Sequence, residues 1–304
     1  MGKVAFLLPG QGAQYPGMGQ AICDTSGAAR AVFEMADRIR PGTSHQCFSG
    51  TPEELMITAN AQPCVFCADL AAAAALSEAG IEPDCLAGFS LGEVAALAFS
   101  GRVTHEEGFR LVCRRGELMQ QASEQIEASM MAVLKLGDGA VEDICREFDG
   151  IYPVNYNCPG QLVVAGRKEN FDAFAQRVRE AGGRAMPLKV GGAFHSPLMD
   201  GAARQLGEEL GGLSFSAGEV PLYSNRTAGL YGDAAELLAG QINSPVRWSE
   251  IIRDMAAHGV DTFVEAGPGK ALSGFVSRIL PDARVLNVEE PEGLRRTARE
   301  VLQC

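Results

Sequence analysis

The stretch Asp84-Cys85-Leu86-Ala87-Gly88-Phe89-Ser90-Leu91-Gly92-Glu93-Val94-Ala95-Ala96-Leu97-Ala98-Phe99-Ser100-Gly101 decides the fold. Its first half, Asp84 to Gly88, reads as a short buried strand. Its second half reads as a helix, with Glu93 in the favoured first turn and Gly101 placed to end it. Between them Gly88-Phe89-Ser90-Leu91-Gly92 matches GxSxG, a turn whose glycines let a serine hydroxyl stand above a sheet. The five-residue pattern is only moderately specific, and a plain Gly/Ser turn is its bland alternative. A strand before it and a helix after it favour the nucleophile elbow. The first helical amide, that of Leu91, then faces any oxyanion formed at Ser90.

Outward from this turn, residues 3–8, apolar after Lys3, form a run ended by Pro9-Gly10, a buried strand feeding a glycine-rich loop. Residues 52–79 are Ala-rich and helical in pattern, and a further helix carries Arg114, Arg115 and Met119. Strand and helix alternate, which predicts a parallel sheet. Near residue 127 the texture changes. Strands at 130–136, 151–156, 161–165 and 184–190, with helices at 138–148 and 168–181, give the β-α-β-β-α-β order of a ferredoxin-like unit. A helix near Pro197, a strand at 220–224, helices at 233–240 and 245–258, and a strand at 262–265 return to the α/β pattern. The expected division is a catalytic core of residues 1–126 and 195–304 with a small subdomain of residues 127–194.

The chain of 304 residues carries a net charge of −12, 46% hydrophobic and 21% charged residues. That balance suits a globular enzyme and argues against nucleic-acid binding, which needs clustered Lys and Arg. The N-terminal apolar run is too short for a signal peptide and no uninterrupted apolar run reaches membrane length, so a cytoplasmic protein without a membrane segment is expected. Nine scattered cysteines, from Cys23 to Cys304, suit reduced thiols. The one CxxC, Cys64 and Cys67, lies in an apolar helical stretch, and no second ligand pair supports zinc. No metal site is expected.

A serine nucleophile needs a base, and there are four histidines. His45 and His105 stand among polar turn residues, and His258 sits at a helix end before Gly259. His195 follows Gly191-Gly192-Ala193-Phe194 and precedes Ser196-Pro197, a loop running into a helix start that can present a side chain. Tyr15 occupies the place where a GxGxxG dinucleotide loop needs glycine, and Gly267-Pro268-Gly269-Lys270 lacks the spacing of a phosphate loop.

With these pieces located, the sequence resembles the malonyl-CoA:acyl carrier protein transacylases and the acyltransferase domains of fatty acid and polyketide synthases. The resemblance runs nearly the whole length. It is carried by Pro9-Gly-Gln-Gly-Ala-Gln14, Gln62-Pro63, Gly88-Phe-Ser-Leu-Gly-Glu93, Arg115-Gly-Glu-Leu-Met119, Asn157-Cys-Pro-Gly-Gln161, Ala193-Phe-His-Ser-Pro-Leu-Met199, Pro245-Val-Arg-Trp248 and Glu265-Ala-Gly-Pro-Gly269. It implies an α/β-hydrolase-like core with a parallel sheet and an inserted ferredoxin-like subdomain. It further implies Ser90 as nucleophile, His195 as base, and the amides of Gln11 and Leu91 as oxyanion hole. Arg115 is implied to clamp the malonyl carboxylate, with Phe194, Gln62 and Asn157 also at the substrate. The backbone carbonyl of Gln241 is implied to orient the histidine. Phe194 and Leu91 match the malonyl-selecting pattern, whereas Phe89 stands where the family commonly has histidine and Val94 where an aromatic is frequent.

The implied reaction moves malonyl from malonyl-CoA to the phosphopantetheine thiol of acyl carrier protein through a malonyl-serine, with no bound cofactor. A serine thioesterase acting on acyl-CoA is the alternative. Acidic carrier protein would meet a basic patch, for which Arg184, Lys189 and Lys270 are candidates. No obvious interaction helix is present, and a monomer is expected.

Overall fold

The computed structural model describes residues 2–302; Cys304 lies outside them. In chain order the elements are β1 (Lys3–Leu8), α1 (Gln20–Thr25), α2 (Gly27–Ile39), α3 (Thr43–Ser49), α4 (Pro52–Met56), α5 (Thr58–Glu78), β2 (Cys85–Gly88), α6 (Leu91–Phe99) and α7 (His105–Glu124). The small sheet follows with β3 (Ala128–Leu134), α8 (Asp138–Arg146), β4 (Ile151–Cys158), β5 (Gln161–Arg167), α9 (Phe171–Glu180) and β6 (Arg184–Pro187). The chain ends with α10 (Asp200–Leu210), β7 (Leu222–Tyr223), α11 (Ala234–Ala239), α12 (Trp248–Ala257), β8 (Val260–Ala266), α13 (Ala271–Ile279), β9 (Arg284–Val288) and α14 (Pro291–Leu302).

Five strands form a parallel sheet in the order β7-β2-β1-β8-β9. Strand side chains alternate between faces, and both faces of β1 are buried. Val4, Phe6 and Leu8 enter one apolar cluster with α2, α5, α6 and α7, while Ala5 and Leu7 enter another with Trp248, Ile251, Phe263 and Val276 from the α12–α13 side. That double burial explains why 4–8 is apolar without alternation, Lys3 being exposed at the start of the strand. The carboxyl ends of the central strands deliver the 9–11 loop, Ser90 and the Gly267–Gly269 turn to one edge, where open α/β sheets bind ligands.

The second sheet is antiparallel, in the order β4-β5-β3-β6. This order and the β-α-β-β-α-β sequence make it ferredoxin-like. Met131 and Val133 of β3 pack on Val141, Ile144, Phe174 and Val178 beneath α8 and α9, whereas Met130 and Ala132 point into the main core. The outer strand β4 does not end in solvent. Val246 N–H donates to Val154 O (2.8 Å) and Tyr156 N–H to Val246 O (2.9 Å), zipping the small sheet to the segment before α12. An exposed edge is thereby closed.

Several elements differ from the sequence reading. The helix expected over 245–258 starts at Trp248, because Val246 is committed to that bridge. The helix at 52–79 is two helices, the first opened by a Thr51–Glu54 capping box. Strand 184–190 stops at Pro187, and 220–224 pairs only at Leu222–Tyr223. His45 lies inside α3 and His105 is the first residue of α7, whose N-cap is Thr104; polar cap residues had made both look like turns. The described cysteines are free, Cys64 and Cys67 being buried in α5. That helix is long and apolar enough to cross a membrane, but 83% of its apolar window is buried in the core.

Asp69 interrupts this apolar helix. It is fully buried, and neither carboxylate oxygen has a partner among the described residues. Burial, then the nearby Glu265 charge, holds its carboxyl well above the usual range. A group protonated in the fold but ionised when unfolded contributes stability at low pH that is lost as pH rises through the folded value. Asp69→Ser returns a hydroxyl to the preceding helical turn. At pH ~8 urea unfolding should show it about 1–3 kcal/mol more stable than the wild type, the gap closing toward pH ~4. A difference independent of pH would contradict this account.

Candidate active site

The turn between β2 and α6 is built on backbone contact. A Cβ at Gly88 would lie 1.9 Å from the Gly92 carbonyl carbon, and one at Gly92 would lie 2.2 Å from Leu8 O. Strand, helix and the end of β1 touch there, so only glycine fits. Ser90 itself sits at φ 55° and ψ −109°, a conformation L-residues avoid. Asn225 pins it: its Oδ1 accepts from Ser90 N–H (2.7 Å) and its Nδ2 donates to Gly88 O (2.6 Å). Gln241 Nε2 holds the next group, donating to Ser90 O (2.8 Å).

His195 arrives from the far end of the small sheet, also at positive φ (63°). Its amide donates to Ile242 O (2.9 Å). Nδ1 lies 3.0 Å from Gln241 O and 3.2 Å from Ser244 O. Two carbonyl acceptors require the proton on Nδ1, which leaves Nε2 with its lone pair toward Ser90 Oγ at 2.7 Å. The arrangement is that of a hydroxyl and the base able to deprotonate it. Burial, with Arg115 second, pushes the His195 imidazole down to about 4. It is neutral at physiological pH.

Arg115 is fully buried, on the inward face of α7. Nη1 donates to Gln62 Oε1 (2.7 Å), and Nη2 to Gln241 Oε1 (2.8 Å) and Ser90 Oγ (3.2 Å). Nε has no partner among the described residues. Burial lowers its pKa to about 10, leaving it cationic. A buried cation with a spare donor, beside a serine hydroxyl, can receive an anionic group.

The remaining residues implied by the resemblance fall around this centre. Leu91 opens α6; the amides of Gly92 and Glu93 donate to Phe89 O and Ser90 O, and Leu91 N–H precedes them in the orphan first turn. The loop carrying Gln11 presses on the elbow, a Cβ at Gly10 being 2.4 Å from Phe89 O. Gln11 lines a cavity of about 470 Å³ between the sheets, together with Phe89, Asn155, Asn157, Lys189 and Phe275. Asn157 and Asn155 are buried there, each with Oδ1 unpartnered among the described residues. Phe194 is buried in the main core. Phe89 meets Trp248 edge-on at 5.3 Å and Phe275 at 6.3 Å, an aromatic wall in place of a polar one. Of the basic candidates only Lys189 lines this cavity; Lys270 precedes α13 and Arg184 lies exposed on β6.

Sequence reasoning missed Asn225, and it gave Glu93 only its first-turn place. Glu93 is fully buried, its Oε2 accepting from Asn225 N–H (2.9 Å) and Gln241 Nε2 (3.0 Å), and its Oε1 from the Tyr231 hydroxyl. Burial raises it to about 7 despite these donors and the Arg115 charge. No local pattern marks Asn225 or Tyr231. The only signal for Asn225 is a polar residue closely following a strand, and Tyr231 has none.

Comparison with known proteins fits this geometry. Residues 5–290 match the acyl transferase domain family. A malonyl CoA-acyl carrier protein transacylase of Bacillus subtilis (strain 168) is 38% identical over 301 residues, covering 96% of this chain and 95% of its own length. The crystal structure of a malonyl CoA-acyl carrier protein transacylase from Clostridium perfringens superposes with a TM-score of 0.95 at 36% identity, covering 99% of this chain and 98% of that one. A malonyl-transacylase in complex with a type II polyketide synthase acyl-carrier protein gives 0.94 at 32% identity, covering 98% and 99%. With the match running from the first strand to the last, the chain belongs to the acyl transferase domain family, among its malonyl CoA-acyl carrier protein transacylases.

Proposed function

We propose that this enzyme moves the malonyl group from malonyl-CoA to the phosphopantetheine thiol of acyl carrier protein, with Ser90 as the covalent carrier. The observation that carries the reading is one oxygen with two partners: Ser90 Oγ lies 2.7 Å from His195 Nε2 and 3.2 Å from Arg115 Nη2. Nucleophile, base and carboxylate receptor thus converge on a single atom.

In the first half-reaction malonyl-CoA enters by the cavity between the sheets, and its carboxylate takes the free Nε donor and an Nη donor of Arg115. His195 Nε2 accepts the Ser90 proton as Oγ attacks the thioester carbonyl. The oxyanion is met by the amides of Leu91 and Gln11. Collapse breaks the carbon–sulfur bond, and His195 returns its proton to the departing CoA sulfur. The second half runs in reverse order: the carrier thiol gives its proton to His195 and attacks the malonyl-serine ester, and Ser90 Oγ leaves with that proton. No cofactor enters the scheme.

The imidazolium formed midway has no carboxylate beside it. Two carbonyls, from Gln241 and Ser244, hold Nδ1 instead, which fixes the tautomer but supplies only dipoles. Asn157 and Asn155 offer acceptors to the amide groups of the pantetheine arm, Phe194 backs the acyl pocket, and Gln62 braces Arg115. Residues 127–194 act as a small subdomain whose zipped edge forms the far wall of the cleft, with Lys189 facing an acidic carrier. Every group comes from one chain, so a monomer suffices. We keep the cytoplasm as its setting, and the extender units would serve fatty acid or polyketide synthesis.

Brief mixing with malonyl-CoA should add one malonyl mass to the intact protein. Ser90→Ala should abolish the adduct, and Arg115→Ala should slow loading by about tenfold or more, the scale of a lost hydrogen bond to a charged group. Phosphopantetheinylated carrier protein should remove the adduct by transfer. Its loss to water at the same rate with or without carrier would indicate the thioesterase instead.

The His195 ring should stay neutral across pH ~5–8 when followed by NMR of labelled imidazoles, since its pKa lies near 4 rather than 6.5. Arg115→Ala removes a repelling charge and should move the midpoint upward. A midpoint near 6.5 in the wild type would refute the description of a dry, cation-facing base.

A further inference from the structure

The steps above leave the buried carboxylate of Glu93 unused, although three donors converge on it. Asn225 N–H and Gln241 Nε2 can only donate and both fall on Oε2, while the Tyr231 hydroxyl donates to Oε1, so the ionised carboxylate has an acceptor for each donor. Gln241 spends both of its amide protons on this side, one on Glu93 Oε2 (3.0 Å) and one on Ser90 O (2.8 Å). Its Oε1 must then face the opposite way, and there it accepts from Arg115 Nη2 (2.8 Å). Turned by half a rotation, the amide would aim its NH2 at the guanidinium and its oxygen at a carboxylate and a carbonyl. All three contacts would become repulsive.

We propose that Glu93 is a positioning residue for carboxylate recognition: acting through the Gln241 amide it holds Arg115 beside Ser90, and its charge balances the guanidinium while the acyl pocket is empty. The proposal rests on the reading of Arg115 as the malonyl clamp. The preference for an acyl group ending in a carboxylate then depends on a residue that never touches the substrate. With Glu93 neutral, one of the three contacts that orient the Gln241 amide is weakened, and Arg115 loses its buried counter-charge. An acyl group with no carboxylate, such as acetyl, makes no use of that arginine. The effect therefore falls on discrimination and not equally on every acyl-CoA.

The test is the ratio of malonyl to acetyl loading on Ser90, read as initial rates by intact-protein mass. The variants are Glu93→Gln, Tyr231→Phe, Arg115→Ala and the Glu93→Gln/Arg115→Ala pair, with circular dichroism and melting as folding controls. Glu93→Gln, close in shape, should lower the ratio about tenfold, the scale of one hydrogen bond to a charged group. In the Arg115→Ala background it should lower it no further, because the two act as one unit. Tyr231→Phe removes one donor but keeps the carboxylate, and should lower the ratio about threefold. That variant carries the test should Glu93→Gln fail to fold. A global packing defect would instead depress both loading rates and leave their ratio unchanged. An unchanged ratio in folded Glu93→Gln, or in Tyr231→Phe where Glu93→Gln does not fold, overturns the inference while a lowered ratio in Arg115→Ala keeps the clamp. An unchanged ratio in Arg115→Ala overturns the clamp itself.

Discussion

The architecture depends on one strained residue. Ser90 sits at φ 55° and ψ −109°, a position that costs about 1–3 kcal/mol and persists only when its surroundings over-determine it. Here they do so from three directions. Gly88 and Gly92 let β2, α6 and the end of β1 meet backbone to backbone. Asn225 clamps the amide of Ser90 and the carbonyl of Gly88, and Gln241 clamps the carbonyl of Ser90. The strain has a use, since it lifts Oγ away from the sheet and leaves the first amide of α6 without an internal partner.

The electrostatics of the site follow from this packing. His195 and Arg115 are both buried and close to the same oxygen, and the Arg115 charge disfavours a proton on the imidazole. A carboxylate beside the imidazole would relieve that conflict and raise its basicity. The chain places its carboxylate behind the arginine instead, at Glu93, where it faces Gln241 and Tyr231. Orientation of the histidine is left to main-chain carbonyls. The buried positive charge thus keeps a spare donor beside Ser90 Oγ and the imidazole is kept neutral, a division suited to an acyl group that brings its own negative charge.

How much of this was legible in the sequence depended on how local the signal was. Ser90 could be read because elbow, strand and helix lie within eighteen residues of one another. His195 could be read by elimination among four histidines and by its loop. The parallel sheet and the ferredoxin-like unit followed from element order. Arg115 looked like any helix arginine, and only the surrounding motifs singled it out. Asn225 and Tyr231 reach the Ser90–Glu93 turn across more than 130 residues of chain, and no periodicity links one end to the other. The misplaced start of α12 has the same origin. Pro245-Val246 reads as a helix entry, and only the distant β4 turns Val246 into a bridge partner.

That bridge shows why the small sheet matters to chemistry performed on the large one. The segment zipped to β4 runs through Ser244, Pro245 and Val246. Ser244 O is one of the two acceptors that hold His195 Nδ1, and Gln241 O, three residues earlier, is the other. The same strand carries Asn155 and Asn157 into the cavity. Movement of the small sheet against the core would therefore alter the width of the cleft and the hold on the base together.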